Sequence, residues 1–215
     1  MLLAWRTVQR FAIALFWVLE FPLALAQEVA PDALVKRISD EVIAAIRQDK
    51  ELQAGNPAKI HALVEAKVLP HFDFRRATQL AMGANWRRAT PEQQEELVRE
   101  FRTLLVRTYS GALANYRDQV IEFRPTRVAS GDTEATVRSV VRQSGAEPIA
   151  IEYDMAKSES GWKVFDVRVG GISLVANYRT AFAEEVRNRG IEGLISLLSN
   201  KNRQGGVKPA ALTRM

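Results

Sequence analysis

The period of the apolar residues changes twice along this chain, and this change limits the possible folds more than any other feature. Between residues 31 and 116 apolar side chains recur at every third or fourth position, which is the period of an amphipathic helix. Over about the next 50 residues they alternate with polar ones, as in half-buried strands, and from residue 173 the helical period returns. Helices before and after a block of strands predict an α+β domain.

Prolines and glycines divide the helical part into segments. Helices are predicted over residues 31–53, after residue 57 to about residue 68, over 75–82 and over 91–116. The last of these is the best marked, because Thr90-Pro91-Glu92-Gln93 supplies an N-cap, a proline at the first helical position and a capping-box glutamine. Beyond the strands, helices are predicted over about 173–189 and over 191–198, with a break at Gly190.

Four strands are predicted in the block with period two. Turn signals that contain Gly131, Gly145 and Gly161 separate them. The third strand, residues 149–156, shows the alternation best, with one apolar face and one mixed face. The fourth, residues 162–169, is apolar on both faces, which is typical of a central or doubly covered strand. We therefore expect a twisted antiparallel sheet of about four strands, wrapped by helices.

The first 26 residues have the pattern of a secretory signal peptide. Arg6 and Arg10 precede an apolar run over residues 11–19, and the small-residue site Ala24-Leu25-Ala26 follows it. We expect cleavage of residues 1–26 and export of the mature chain to a bacterial periplasm.

The mature chain is expected to form one domain over residues 27–200, followed by a polar, disordered tail over residues 201–215. The sequence has no cysteine, which excludes a disulfide framework and a lipid-attachment thiol. Its 30 basic and 25 acidic residues give a net charge of +5, but the arginines are scattered among glutamates. Such dispersed charge lacks the dense basic patch that is typical of nucleic-acid binding, so we expect no nucleic-acid partner.

Few side chains suit catalysis or metal binding. His71 and Asp73 could orient a general base, but no serine or cysteine lies in a nucleophile-elbow context, and a histidine in a joint between helices is more often a hydrogen-bonded structural residue. His61 and Glu65 offer two ligands on one helix, and no further histidine or cysteine cluster completes a zinc site. We expect no catalysis, no metal and no cofactor.

The apolar faces of the helices and of the sheet both need to be covered. A curved sheet wrapped by helices often leaves an apolar pocket between the layers. Such a pocket is costly when it is empty, so an apolar occupant is expected. Leu174, Val175, Tyr178 and Phe182, which follow the tight turn at Gly170-Gly171, are expected to form one wall.

Six groups of residues occur in a fixed order between about residues 30 and 201. They are Val68-Leu69-Pro70 with Asp73-Phe74; Met82-Gly83-Ala84-Asn85-Trp86-Arg87; Ala89-Thr90-Pro91-Glu92-Gln93; Phe101 with Leu104-Leu105-Val106-Arg107-Thr108-Tyr109; Trp162-Lys163-Val164 with Asp166-Val167; and Gly171-Ile172-Ser173-Leu174-Val175-Ala176-Asn177-Tyr178-Arg179 with Phe182. In order and spacing they resemble the MlaC family of phospholipid carriers, also called the toluene-tolerance periplasmic family.

The resemblance implies a soluble periplasmic shuttle without enzymatic activity. Such a shuttle takes phospholipid between an outer-membrane lipoprotein–porin complex and an inner-membrane ABC transporter that carries an MCE-domain ring, and it thereby maintains the lipid asymmetry of the outer membrane. We expect a monomer that holds phospholipid as cargo, with the acyl chains in the pocket.

Two sets of residues are expected to contact such a lipid. Arg87 and Arg88 are expected near the head group, at the mouth of the pocket. The acyl chains are expected to contact Phe72, Phe74, Phe101, Leu105, Tyr109, Leu113, Tyr116, Ile121, Phe123, Val137, Ile149, Ile151, Tyr153, Val164, Val167, Ile172, Leu174, Val175, Tyr178 and Phe182.

Two other classes of function stay open on the residues alone. A small-molecule isomerase or hydratase could use Tyr153 or Asp166 as a polar group in an apolar cavity. A protein-binding module could use the same groove for the amphipathic helix of a partner. Asp166 and Arg168 share one face of the fourth strand, and we expect them on its solvated side or paired with a neighbour.

Overall fold

The computed structural model describes residues 29–204. Its α-helices are α1 (Pro31–Gln48), α2 (Lys50–Gln53), α3 (Pro57–Lys67), α4 (Phe74–Met82), α5 (Pro91–Tyr109), α6 (Gly111–Ala114) and α7 (Arg179–Arg203). Its 3₁₀ turns are Leu69–His71, Gly83–Arg88 and Ala176–Tyr178. Its strands are β1 (Val120–Arg124), β2 (Glu134–Arg142), β3 (Ile149–Ser158), β4 (Gly161–Val169) and β5 (Ile172–Ser173). Helices, strands and helix follow one another in the predicted order, which confirms the α+β fold.

The strands form one antiparallel sheet in which each strand pairs with the next along the chain. The sheet has one strand more than predicted, because the chain folds back onto the edge of β4 as the two-residue strand β5. Gly170 and Gly171, with φ of 57° and 83°, make this reversal. A side chain at either position would strain the backbone, so the turn requires glycine.

A β-bulge in β4 changes which side chains share a face of the sheet. Met155 lies opposite Val164, whereas Asp154 lies opposite Asp166, so Phe165 is an extra residue without a partner on β3. The bulge reverses the alternation along β4. As a result Asp166 lies on the face opposite to Val164, although the two are only two residues apart.

The buried side chains form three apolar clusters. In the first, Leu34 and Val35 of α1 cover the sheet at Val137 and Val164. The second joins α1, α3 and α5 through Val42, Ile46, Ile60, Val64 and Val106. The third joins α4, α5 and α7 through Ala81, Leu97, Phe101, Phe182 and Leu194. The helices therefore pack partly on the sheet and partly on one another, which leaves a seam between the helical layers and β4.

Three predicted helix boundaries are wrong. The predicted helix over 31–53 is broken because the Asp49 side chain accepts hydrogen bonds from the backbone N–H groups of Glu51 and Leu52 and so starts α2. α5 ends at Tyr109, and Tyr116 therefore lies outside any helix. The last helix begins at Arg179 instead of residue 173, because the residues before it form β5 and a 3₁₀ turn.

The C-terminal helix is longer than predicted. Gly190 has a non-helical backbone (φ 71°, ψ −176°), which confirms the predicted break, but the helix resumes and continues to Arg203. Residues 201–203 of the predicted tail are therefore helical, and the buried Asn202 amide donates to the backbone oxygen of Glu100 at 2.9 Å. The predicted signal peptide and the tail beyond Gln204 lie outside the described residues. In the part of the chain that is described, no helix combines the length and the apolar character needed to cross a bilayer.

Candidate functional site

A cavity of about 230 Å³ lies in the seam between the helices and β4. Its walls come from α3 with the turn that follows it, from the start of α4, from α5 and α6, and from the chain between Phe165 and Val175. The lining residues are Val64, Val68, Leu69, Phe72, Phe74, Ala77, Leu105, Val106, Tyr109, Ser110, Leu113, Phe165, Asp166, Val167, Leu174 and Val175. Apart from Ser110 and Asp166, all of these side chains are apolar or aromatic, so the cavity favours hydrocarbon.

The joint before α4 positions two aromatic rings at the cavity. Phe72 forms a parallel bridge with Val164, and the backbone N–H of Asp73 donates to the Val164 oxygen at 2.8 Å. The Asp73 side chain accepts from the Arg76 N–H and caps α4. The Phe72 and Phe74 rings are stacked with centroids 5.6 Å apart. The joint is thus fixed to the sheet at one end and to a helix at the other.

The opposite wall is the segment that follows β5. Leu174 and Val175 line the cavity, and the Leu174 N–H donates to the Val167 oxygen at 2.8 Å. Val175 is buried and also belongs to the helical cluster around Phe101. This wall therefore connects the edge of β4 with α7.

The Asp166 carboxylate lies in this otherwise apolar lining and is only 3% exposed. One oxygen, Oδ1, accepts from the N–H groups of Val167 (2.8 Å) and Val175 (3.2 Å), and the other, Oδ2, accepts from the Ser173 hydroxyl at 2.5 Å. Burial raises the pKa of Asp166, and these hydrogen bonds oppose the rise. Of the two expected environments, a solvated face or a pairing with a neighbour, Asp166 has the second, because the segment after β5 covers it and donates hydrogen bonds to it.

Tyr109 is the other residue of the lining whose titration is strongly altered. Burial, together with the neighbouring hydroxyl of Tyr178 and the charge of Asp166, raises the pKa of Tyr109 far above its usual range. Its phenol is therefore neutral at any physiological pH. Tyr109 therefore offers no base, and both oxygens of Asp166 already accept hydrogen bonds from the protein.

The His71–Asp73 pair and the His61–Glu65 pair, which were considered above as a general base and as metal ligands, have other contacts. Asp73 caps α4, while burial and the nearby Lys163 and Arg37 lower the pKa of His71. His61 lies 3.9 Å from Glu65 on the surface of α3. Among residues 29–204 no three histidine, aspartate or glutamate side chains are grouped as metal ligands.

Eight of the predicted acyl-chain contacts line the cavity. They are Phe72, Phe74, Leu105, Tyr109, Leu113, Val167, Leu174 and Val175. They come from four separate stretches of sequence, and the fold brings them together. Their contact with a lipid stays a prediction.

Six of the other predicted contacts have a structural role away from the lining. Val137 and Val164 are buried between α1 and the sheet, with Phe123 and Tyr153 partly buried beside them. Burial raises the pKa of Tyr153. Phe101 and Phe182 meet edge to face in the helical core, with centroids 5.1 Å apart.

Three further predicted contacts lie outside the lining. The Tyr178 ring packs at 5.1 Å from Phe101 in the same aromatic group. The Tyr116 hydroxyl accepts from Arg47 at 2.8 Å. Ile172 is 52% exposed at the tip of the β4–β5 turn.

The remaining three, Ile121, Ile149 and Ile151, belong to an apolar part of the sheet that the helices leave partly exposed. Ile121 lies opposite Val141, Val141 opposite Ile149, and Ile151 opposite Val169. These five residues, the open apolar face, are partly exposed and belong to none of the three buried clusters. They share the sheet face of Val167, which lines the cavity, and Val169 is two residues, about 7 Å, further along β4. The open apolar face thus continues the cavity along the sheet.

The predicted head-group residues lie elsewhere. Arg87 and Arg88 are exposed in the 3₁₀ turn between α4 and α5, and Arg88 donates to Asn85 at 2.9 Å. Neither lines the cavity. Their contact with a head group also stays a prediction.

Half of the lining was not predicted. The missed residues are Val64, Val68, Leu69, Ala77, Val106, Ser110, Phe165 and Asp166. Val64 and Val68 carry a signal that could have found them, since they are apolar and four residues apart at the end of a helix. Phe165 and Asp166 carry none, because their orientation depends on the bulge.

A larger depression of about 370 Å³ on the other side of the sheet is a weaker candidate. Glu134, Thr136 and Asp154 line it together with Phe165. Its polar groups are already paired: Glu134 with Arg76, and Asp154 with Thr136. Because the charges that line this depression are paired within the protein, the apolar cavity is the better candidate site.

The sequence is similar to two characterised transport and tolerance proteins. It is 23% identical to the intermembrane phospholipid transport system binding protein MlaC of Haemophilus influenzae over 203 residues, which cover 93% of this chain and 94% of the relative. It is 26% identical to the toluene tolerance protein ttg2D of Pseudomonas putida over 171 residues, 79% of each chain.

The fold is similar to that of a solved phospholipid-binding protein from Ralstonia solanacearum, determined at 1.53 Å in complex with a phospholipid. The TM-score is 0.75 and the identity 44%, over 82% of this chain and 98% of the other. The family model described as "MlaC protein" matches residues 36–200, which contain the whole sheet and every residue of the cavity. The chain therefore belongs to the MlaC family.

Proposed function

We propose that this protein is a phospholipid-binding transport protein of the periplasm, which holds acyl chains in the cavity between the helices and β4 and over the open apolar face that continues it. The observation that carries the proposal is a lining of hydrocarbon in which the one carboxylate is already hydrogen bonded within the protein. The Ralstonia solanacearum protein, which is 44% identical, is in complex with a phospholipid. The Haemophilus influenzae relative is named for intermembrane phospholipid transport.

Burial of hydrocarbon accounts for retention of the cargo. Two acyl chains of about sixteen carbons, removed completely from water at roughly 0.8 kcal/mol per CH₂, gain on the order of 25 kcal/mol, which is the upper bound for a partly covered lipid. The chains in a bilayer are already out of water. The free energy of the lipid therefore differs little between the carrier and a membrane, although moving the chains from water into either one is strongly favourable. The same protein can therefore load and unload.

The size of the cavity bears on how much of the lipid it holds. A volume of about 230 Å³ lies below the range of roughly 300–1,000 Å³ that is usual for small-molecule pockets. We infer that the cavity takes part of one chain and that the remaining hydrocarbon lies over the open apolar face. That placement gives a role to Ile121, Ile149 and Ile151, which the protein itself leaves half-exposed.

The partners of the proposed carrier are a donor and an acceptor at the two membranes. An outer-membrane lipoprotein–porin complex and an inner-membrane ABC transporter with an MCE-domain ring suit these roles, and transfer between them would maintain the asymmetry of the outer membrane. Because the free energy of the lipid differs little between the carrier and a membrane, the direction of transfer is set by these complexes.

A carrier accounts for the site better than an enzyme does. The buried, pKa-shifted carboxylate that an isomerase or hydratase would need is present as Asp166, but both its oxygens accept hydrogen bonds from the protein. The other titratable side chain of the lining, Tyr109, keeps its proton and so offers no base. The hydrogen bonds of Asp166 hold the segment after β5 in place.

Mass spectrometry of organic extracts, from protein purified without detergent, tests the proposal. We expect the wild-type protein to carry phospholipid. Leu113→Glu places a charge in the cavity wall and should lower the bound lipid at least tenfold, because an ionised side chain strongly disfavours hydrocarbon beside it. Ala112→Glu, at the exposed neighbouring position of α6, is the matched control and should carry lipid as the wild type does. Folded wild-type protein without extractable lipid would contradict the proposal and favour a protein-binding module.

A further inference from the structure

Residues 173–176 form a wall of the cavity but have little secondary structure of their own. Leu174 and Val175 line the cavity, whereas regular pairing with β4 ends at Ser173. Beyond Ser173, the Leu174 N–H still donates a backbone hydrogen bond to the Val167 oxygen of β4. The position of this wall therefore depends on contacts other than the sheet ladder.

Val175 packs in the helical core, and a single carboxylate supplies most of the further hydrogen bonds of this segment. Asp166 accepts from the backbone N–H of Val175 at 3.2 Å and from the hydroxyl of Ser173 at 2.5 Å. The Ser173 oxygen in turn accepts from the N–H of Ala176 at 2.7 Å. Directly or through Ser173, the carboxylate thus holds three of the four residues.

The chemistry of these bonds makes the anchor a strong one. Hydrogen bonds to a carboxylate are shorter and stronger than those between neutral groups. Removal of the acceptor would leave the buried N–H of Val175 without a partner, which costs more than a hydrogen bond contributes. A buried carboxylate also has a desolvation cost, and here its hydrogen bonds to the wall offset that cost.

We propose that Asp166 is a positioning residue, which holds residues 173–176 against the cavity and so slows the release of a bound acyl chain. The inference deepens the proposed function and rests on it for the release step alone. The position of the wall is a property of the chain itself and can be tested without lipid.

Backbone hydrogen exchange of the full mature chain tests the position of the wall. Asp166→Ala and Ser173→Ala should speed exchange of the amides of residues 174–176 about tenfold or more, because each removes a hydrogen bond to a charged group. Exchange in the middle of α5 should not change. Asp166→Asn keeps an acceptor oxygen for the Val175 N–H and should retain protection within about threefold of the wild type.

Asp154→Asn is the matched control. Asp154 lies directly opposite Asp166 on β3 and accepts from Thr136 at 2.8 Å and from Arg168 at 2.9 Å. It makes no hydrogen bond to residues 173–176, so their exchange should stay at the wild-type rate. Wild-type protection of the wall in Asp166→Ala, or an equal loss of protection throughout the protein, would overturn the proposal.

The release step is measured with phosphatidylglycerol that carries a fluorescent acyl chain. After dilution into excess unlabelled phosphatidylglycerol vesicles, the probe should leave Asp166→Ala and Ser173→Ala about tenfold faster than the wild type, with Asp166→Asn and Asp154→Asn close to it. An unchanged release rate in both alanine variants would overturn the proposed effect on retention. If the wild-type protein does not bind the probe at all, the proposed function fails, while hydrogen exchange still decides whether Asp166 positions the wall.

Discussion

At the scale of the residue, burial decides the role of a polar group more than its spacing in the sequence does. Asp166 and Arg168 share one face of β4, but Asp166 is covered by the segment after β5, whereas Arg168 pairs with Glu152 and Asp154 at 2.9 Å each. The expectation of a solvated or paired residue is met by pairing in both cases, with two carboxylates for Arg168 and with the covering segment for Asp166. Both residues occupy equivalent polar positions in the alternating sequence of β4, and only the segments that pack around them differ.

His71 gives the protein a pH-dependent stability. Burial and the positive charges of Lys163 and Arg37 lower the pKa of His71 in the folded state, and the charge of Glu41 opposes them in part. A lowered pKa means that the unfolded chain binds the proton more readily, so this contribution to stability is present above about pH 6.5 and is lost as the pH falls through the folded-state pKa. The free energy of unfolding of the wild type should therefore decrease between pH 7.5 and pH 5 relative to that of His71→Gln.

Urea unfolding at the two pH values measures this difference. His61→Gln is the matched control, because it removes the exposed histidine of α3. The expectation fails if His71→Gln and the wild type lose the same stability on acidification.

At the scale of the element, local signals set where helices begin better than where they end. The capping box is present as predicted: the Thr90 side chain accepts from the Gln93 N–H at 3.3 Å, and the Gln93 side chain accepts from the Thr90 N–H at 3.0 Å. The end of the same helix at Tyr109 is not marked by proline, and glycine follows only at residue 111. A start depends on side chains within one turn, whereas an end can depend on what the next element contacts.

Thr90→Ala should destabilise the protein by about 1 kcal/mol, because it removes the N-cap of α5 and leaves the Gln93 N–H without its partner. The midpoint of urea unfolding measures the loss. Thr103→Ala in the middle of the same helix is the control. Its hydroxyl bonds only the backbone oxygen of Arg99, and alanine has the higher helix propensity. Equal losses in the two variants would show that the capping box contributes nothing specific.

At the scale of the whole molecule, the helices leave part of one sheet face uncovered, and the cavity lies where that uncovered surface meets the helices. α1 covers the sheet at Val137 and Val164, while the open apolar face stays half-exposed. In the proposed carrier, exposed hydrocarbon at the edge of the site favours transfer of lipid during contact with a membrane complex over transfer through water. Exchange of lipid should therefore require docking.

Carrier loaded with fluorescent phosphatidylglycerol should exchange it slowly with liposomes that lack partner proteins, because each transfer exposes acyl chains to water at much of the roughly 25 kcal/mol gained by burial. Fluorescence transfer over time measures the rate, and liposomes mixed without the protein give the background. Addition of the inner-membrane complex to the liposomes should raise the rate by orders of magnitude. Rapid exchange with bare liposomes would contradict a docking requirement.

The sequence by itself determined the order of helices and strands, the α+β class and most helix starts, because hydrophobic period, caps and glycine turns act over a few residues. It also supplied the apolar residues from which a pocket could be built. Only the tertiary structure decided which of them line it: Phe101 and Phe182 fill the helical core, whereas Leu105 and Leu174 face the cavity. The burial of Asp166 likewise follows from the bulge at Phe165 and the return of the chain along β4. Each of these outcomes depends on which surface covers a residue from elsewhere in the chain, and a local pattern carries no information about that surface.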